Sequence, residues 1–113
     1  MSQLTLNLIQ GAVSFNFSVA AAQDLLQEIE QLIQKLKIIA SKASQAGGRR
    51  QPQAPLEYRH TGEVFLEVFC NPNIYPSPFA AKVLLTIRDE RIRLTSEAEL
   101  MRLIEDLNLF LAK

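Results

Sequence analysis

Residues 18–46 read SVAAAQDLLQEIEQLIQKLKIIASKASQA, with apolar positions at helical spacing over the whole stretch. Ala22, Leu25, Ile29, Leu32, Leu36, Ile39 and Ala43 advance by alternating threes and fours. Leu26, Ile33 and Ala40 widen that seam into the broad apolar stripe of a core-facing helix. Ser18 is placed to cap the N-terminus. Asp24, Glu28 and Glu30 lie in the first half and Lys35, Lys37 and Lys42 in the second, so the charges follow the helix dipole. The spacing predicts one long amphipathic helix, and the rest of the chain is read around it.

On its N-terminal side, residues 4–17, LTLNLIQGAVSFNF, alternate as two strands. Gln10-Gly11 supplies the turn, which sets Leu8 opposite Val13, Leu6 opposite Phe15 and Leu4 opposite Phe17. All six share one face, with Thr5, Asn7, Ser14 and Asn16 on the other.

On its C-terminal side, residues 46–55, AGGRRQPQAP, have no large apolar residue and predict a mobile loop, with Gly47 or Gly48 closing the helix. Residues 63–70, EVFLEVFC, alternate Val64, Leu66, Val68 and Cys70 with Glu63, Phe65, Glu67 and Phe69, which predicts a strand. The connector NPNIYPSPF, residues 71–79, has three prolines and cannot be a central strand. Residues 82–94, KVLLTIRDERIRL, predict a second hairpin turning at Asp89-Glu90. Ile87 and Ile92 then point inward and Arg88 and Arg91 outward. Residues 96–112 predict a second helix that opens on a Ser96–Glu99 capping box and carries Leu100, Leu103, Ile104, Leu107, Phe110 and Leu111 as its stripe.

Hairpin then helix thus occurs twice, and the helix stripes align: Leu25 with Leu103, Ile29 with Leu107, Leu32 with Phe110. The expected fold is α+β in the order ββαβββα, with an antiparallel sheet of about five strands and both helices on one face. The whole chain, 1–113, is expected to form a single domain.

Composition narrows the function classes. At 48% hydrophobic residues the chain can build a packed interior. Twelve basic residues balance twelve acidic ones, unlike a strongly basic nucleic-acid binder. The balance is uneven, however. Residues 31–62 hold Lys35, Lys37, Lys42, Arg49, Arg50 and Arg59 against Glu57 alone. Cys70 is the single cysteine, so no intrachain disulfide forms and nothing points to an oxidising compartment. The first ten residues lack a signal peptide's basic start and apolar core, and no run is long enough to span a membrane. A cytoplasmic location is expected.

Few residues suggest chemistry. His60 is the one histidine and has no cysteine pair or second histidine to share a metal with. Cys70 has no basic neighbour to activate it. Glu63 and Glu67 on one strand face lie ~13 Å apart, too far for a glycosidase pair. They are better placed to meet Arg88, Arg91 or Arg93 across strands. There is no phosphate loop and no nucleotide signature. The expectation is a protein that is not an enzyme, with no metal or cofactor.

Three readings follow. The first is a small protein-interaction module, an assembly or regulatory factor acting as a homodimer with an unidentified protein partner. A helix of ~26 residues is ~39 Å long. A compact chain of this size has a radius of gyration near ~13 Å. Leu36, Ile38, Ile39 and Ala40 should then overhang the core and form the interface. The second reading is single-stranded nucleic-acid binding on the outer sheet face, by Phe65, Phe69, Arg88, Arg91 and Arg93 with Arg49 and Arg50. The third is a small-ligand or enzyme site under the 71–79 connector.

Overall fold

The computed structural model describes residues 2–43 and 52–112. It is an α+β fold of two helices and two antiparallel sheets. Strands Ser2–Asn7 (β1) and Ala12–Phe17 (β2) form a sheet of their own. Helix Val19–Ala43 (α1) follows at once. Strands Leu56–His60 (β3), Phe65–Cys70 (β4), Lys82–Arg88 (β5) and Arg93–Glu99 (β6) form the second sheet in that order, and helix Leu100–Leu111 (α2) ends the chain. The order is therefore ββαββββα. In place of a single sheet of about five strands there are two sheets, and β3 is the additional strand.

The turns account for the differences inside the hairpins. A two-residue turn of the type that suits a twisted hairpin needs positive φ at its first or both central residues. Among the described residues only Gly11 has positive φ, at 94°, and no other residue type does. Gln10-Gly11 therefore cannot make that turn. The loop widens to residues 8–11, closed by the Leu8 N–H donating to the Gly11 carbonyl at 2.9 Å. The register shifts by two, to Leu6 opposite Val13 and Leu4 opposite Phe15. A shift of two keeps every side chain on its face, so Leu4, Leu6, Phe15 and Phe17 are buried as expected.

The second hairpin repeats the event. Without glycine, Asp89-Glu90 cannot form the tight turn, and the loop spans residues 89–92. Asp89 Oδ1 accepts the backbone N–H groups of Arg91 at 2.8 Å and Ile92 at 2.9 Å. Ile87 then pairs with Leu94, and Arg88 with Arg93. Ile87 is buried, but Ile92 sits in the loop at 66% exposure, so the inward Ile92 expected from the shorter turn is corrected.

The start of α2 also differs. Ser96 lies in β6 opposite Leu85, and Glu99 caps α2 without a side-chain hydrogen bond. Strand pairing with β5 takes residues 95–99 and overrides the local capping-box signal. The Leu100 N–H carries the contact one residue on, to the Ala81 carbonyl at 3.0 Å. At α1 the capping expectation holds, since Ser18 Oγ accepts the Ala21 N–H at 3.1 Å.

Ala22, Leu25, Ile29, Leu32 and Leu36 of α1, Leu100, Leu103, Leu107 and Phe110 of α2, the inner faces of β1 and β2, and Leu66, Val68, Cys70, Val83, Leu85 and Ile87 join one buried cluster. Burial within the single chain removes the expected overhang. Leu36 is fully buried and Ile39 is 2% exposed within the single chain. The body is elongated, 50 Å on its long axis with a radius of gyration of 14.9 Å, so a helix of ~37 Å does not outrun it. Of the four residues expected at an α1 interface, Ile38 is exposed at 43% and Ala40 is half-buried. Residues 46–51 of the expected mobile loop, with Arg49 and Arg50, lie outside the described residues; residues 52–55 carry no regular element.

Leu36→Ala should therefore cost the isolated chain roughly 2–5 kcal/mol, as expected for a filled core site. Ile38→Ala should stay within about 0.5 kcal/mol, as at most exposed positions. Urea unfolding followed by circular dichroism separates the two; equal effects would contradict the burial pattern.

Candidate interaction surface

Strand pairing converts the sequence alternation into a grid on the outer face of the four-stranded sheet. One row runs Glu57, Phe69, Leu84, Glu97. The next runs Arg59, Glu67, Thr86, Thr95, and a third runs Phe65, Arg88, Arg93. Lys82 and Glu99 pair beyond the first row. Phe69 and Leu84 stand side by side at 37% and 42% exposure. Around them Arg59, Lys82, Arg88 and Arg93 are matched in number by Glu57, Glu67, Glu97 and Glu99.

Contacts within the grid are specific. Arg59 Nε donates to Glu67 Oε2 at 2.6 Å. Arg59, in the strand not foreseen, thus takes the place expected of Arg88, Arg91 or Arg93. Glu63 instead accepts from Asn16 Nδ2 at 3.4 Å. The Arg88 guanidinium lies 4.3 Å from the centre of the Phe65 ring, a cation–π contact within one sheet. Thr86, at the centre, is 6% exposed despite facing outward.

Of the residues expected to touch nucleic acid, Phe65, Phe69, Arg88 and Arg93 are brought to this face, while Arg91 lies in the 89–92 loop. The sequence reading missed Glu57 and Arg59 as face residues. Their signal is present, since LEYRH alternates apolar with charged, but the run is only five residues long between Pro55 and Gly62 and no element is expected there from sequence alone.

The remaining candidates are engaged in structure. The His60 ring meets Phe17 edge-on at 5.1 Å, and a Cβ at Gly62 would come within 3.0 Å of its Nε2. Cys70 is buried, and burial pushes its thiol up to about 11. Tyr58 donates its hydroxyl to the Ala21 carbonyl at 3.2 Å; burial first, then Asp24 and Glu28, push that hydroxyl up to about 12. Asp106, unnoticed in the sequence, is 4% exposed and accepts from the Asn7 N–H at 2.8 Å and Asn7 Nδ2 at 2.9 Å.

The 71–79 connector holds two 3-10 turns, Pro72–Ile74 and Pro78–Ala80. Asn73 fixes it by accepting the Gln53 N–H and donating to the Gln53 carbonyl, both at 2.8 Å. A shallow pocket of about 320 Å³ lies elsewhere, between Asn7, Leu8, Ile9, Glu99 and Arg102. Among the described residues no cluster of histidine, cysteine and carboxylates could hold a metal, and no helix is long and apolar enough to cross a membrane. Comparison with protein-family models, curated proteins and solved structures finds no match to this chain.

The Cys70 environment fixes a pH dependence. Unfolded, the thiol ionises near 9; folded, near 11. Between these values the unfolded chain releases its proton first, so Cys70's contribution to stability falls as pH rises from about 9 to 11 and is intact below 9. Cys70→Ala should flatten that part of a plot of thermal midpoint against pH. An unchanged slope would mean that the thiol is not held in its neutral form.

Proposed function

We propose that this chain is a non-catalytic protein-interaction module, an assembly or regulatory factor that works as a homodimer and offers the outer sheet face to another protein. The observation that carries the reading is the row Glu57, Phe69, Leu84, Glu97: two exposed apolar side chains, adjacent across strands and flanked by carboxylates. Apolar residues centred in a charged surround are how protein interfaces are built. The complementary partner surface is an apolar side chain flanked by lysine or arginine.

The non-catalytic part is supported by how the reactive side chains are used. His60 packs on Phe17, Cys70 is buried as a neutral thiol, and Asp106 is spent on Asn7. Single-stranded nucleic acid receives less support from the same face. Arg88 already covers Phe65, and Glu57 and Glu97 bracket the Phe69–Leu84 pair where phosphates would have to pass. The homodimer belongs to the reading, but not on α1, because Leu36 and Ile39 are already consumed by the chain's own core.

Replacing Phe69 and Leu84 together by serine tests the face. Wild type used as bait in the native extract should retain a protein that the double variant loses, with the two melting within a few degrees of each other. Identical sets on both baits would overturn the reading. So would tight binding of a single-stranded oligonucleotide that weakens steeply with salt.

A further inference from the structure

The two edges of the four-stranded sheet are treated differently. At β6 the Ile9 N–H, from the first hairpin's loop, donates to the Glu97 carbonyl at 3.0 Å and covers the edge. At β3 the described residues supply no such cover: among them, no backbone hydrogen bond of Leu56–His60 goes anywhere but to β4. An edge strand with free N–H and C=O groups is a template for another strand.

We infer that two copies of this chain pair their β3 edges antiparallel about a two-fold axis at Tyr58, with Glu57 of each copy opposite Arg59 of the other. This rests on the homodimer of the preceding reading and gives it a place.

Symmetry fixes the register. Opposite residues in a sheet lie on the same face, so a two-fold axis normal to the sheet must pass midway between one β3 residue and its own copy. An axis at Glu57 sets the two Glu57 carboxylates opposite each other. An axis at Arg59 does the same with two guanidinium groups. Both arrangements oppose like charges and shorten the overlap. An axis at Tyr58 pairs all five residues: Leu56 with the partner's His60, Glu57 with the partner's Arg59, and Tyr58 with the partner's Tyr58. Glu57 and Arg59 are exposed on the outer face, where both charged pairs form without being desolvated.

The geometry also serves the binding face. An axis normal to the sheet keeps both outer faces on one side, so the two Phe69–Leu84 pairs stand on one continuous surface. A partner carrying two matching segments would then bind by avidity.

Charge reversal with mixing tests the edge. Wild type should sediment at twice its 12.7 kDa chain mass at micromolar concentration. Glu57→Arg alone opposes two like-charged pairs, as does Arg59→Glu alone, and each should weaken dimerisation roughly tenfold or more. An equimolar mixture restores both attractions and should recover the dimer mass. Circular dichroism melting checks that each variant is folded. As an independent probe, Glu57→Cys mixed with Arg59→Cys should form a mixed disulfide in air, because opposite Cα atoms lie within ~6 Å. Neither chain alone should do so through these positions. A monomeric wild type would overturn both the homodimer and this edge. A dimer indifferent to charge reversal and without the mixed disulfide would overturn the β3 edge alone and leave the homodimer standing.

Discussion

A hairpin of two strands is marginal in water, and here β1 and β2 pair, among the described residues, with each other alone. Their survival depends on being anchored from outside the sheet. Leu4, Leu6, Phe15 and Phe17 supply the apolar part of the anchor by entering the common core. The Asp106 carboxylate supplies the polar part. It lies on α2 and takes both the backbone N–H and the side-chain amide of Asn7, the last residue of β1. A buried carboxylate without partners would cost several kcal/mol, so the pair is needed as soon as α2 covers it. Arg102, one turn earlier on α2, approaches the same carboxylate at 3.4 Å. With the hairpin fixed there, its loop reaches β6 and covers that edge. One buried polar contact thus joins the first ten residues to the last fifteen.

What the sequence reveals and what it hides divide along a physical line. The face each strand residue takes is a matter of parity, and parity survives any even shift in register. That is why Leu6 and Phe15 are buried although they do not oppose each other as expected. Turn length is set by which residues take positive φ, and both hairpins lengthen because among the described residues only Gly11 does so. Ile92 moves from the core to solvent for that reason alone. The capping box at Ser96 was a sound local signal that lost to five residues of pairing with β5. The overhang of α1 failed at another scale: a spherical globule was assumed, but the body is nearly twice as long as it is wide. Of the candidate surface, Phe65, Phe69, Arg88 and Arg93 were legible from alternation. The acidic residues that change its meaning, Glu57 and Glu97, come from β3 and from the part of β6 first read as helix.

Those two carboxylates shift the balance between the functional readings. Aromatics interleaved with arginines resemble a base-stacking platform when β4 and β5 are considered alone. Once β3 and β6 are placed beside them, the aromatic nearest the centre of the sheet edge row, Phe69, has a carboxylate in its own row on one side and Leu84 then a second carboxylate on the other. The field at Phe69 is therefore not that of a cation-lined groove. Arg88 spends its guanidinium face on Phe65, which removes one ring from stacking and one cation from phosphate.

An edge that the described residues leave open, as they leave β3, is a liability as well as an opportunity, and natural sheets protect it with charge. Glu57 and Arg59 serve that end in a selective way. A foreign apolar strand laid along β3 would meet Glu57 and the Arg59–Glu67 ion pair and offer neither a counterpart. A second β3 shifted by two residues in either direction would meet like charge against like. Only the arrangement centred on Tyr58 sets opposite charges across the seam, Arg59 keeping its own Glu67 beside it, so in the proposed dimer the same two residues exclude the wrong pairings and admit one. Rejection and acceptance then come from a single feature, and this is the economy expected of a specific interface rather than of a merely sticky edge. Lysine at both positions would protect the edge equally well against foreign strands, yet it would also forbid self-pairing. The presence of opposite signs on one face, two residues apart, is what distinguishes an edge kept for pairing from an edge merely defended.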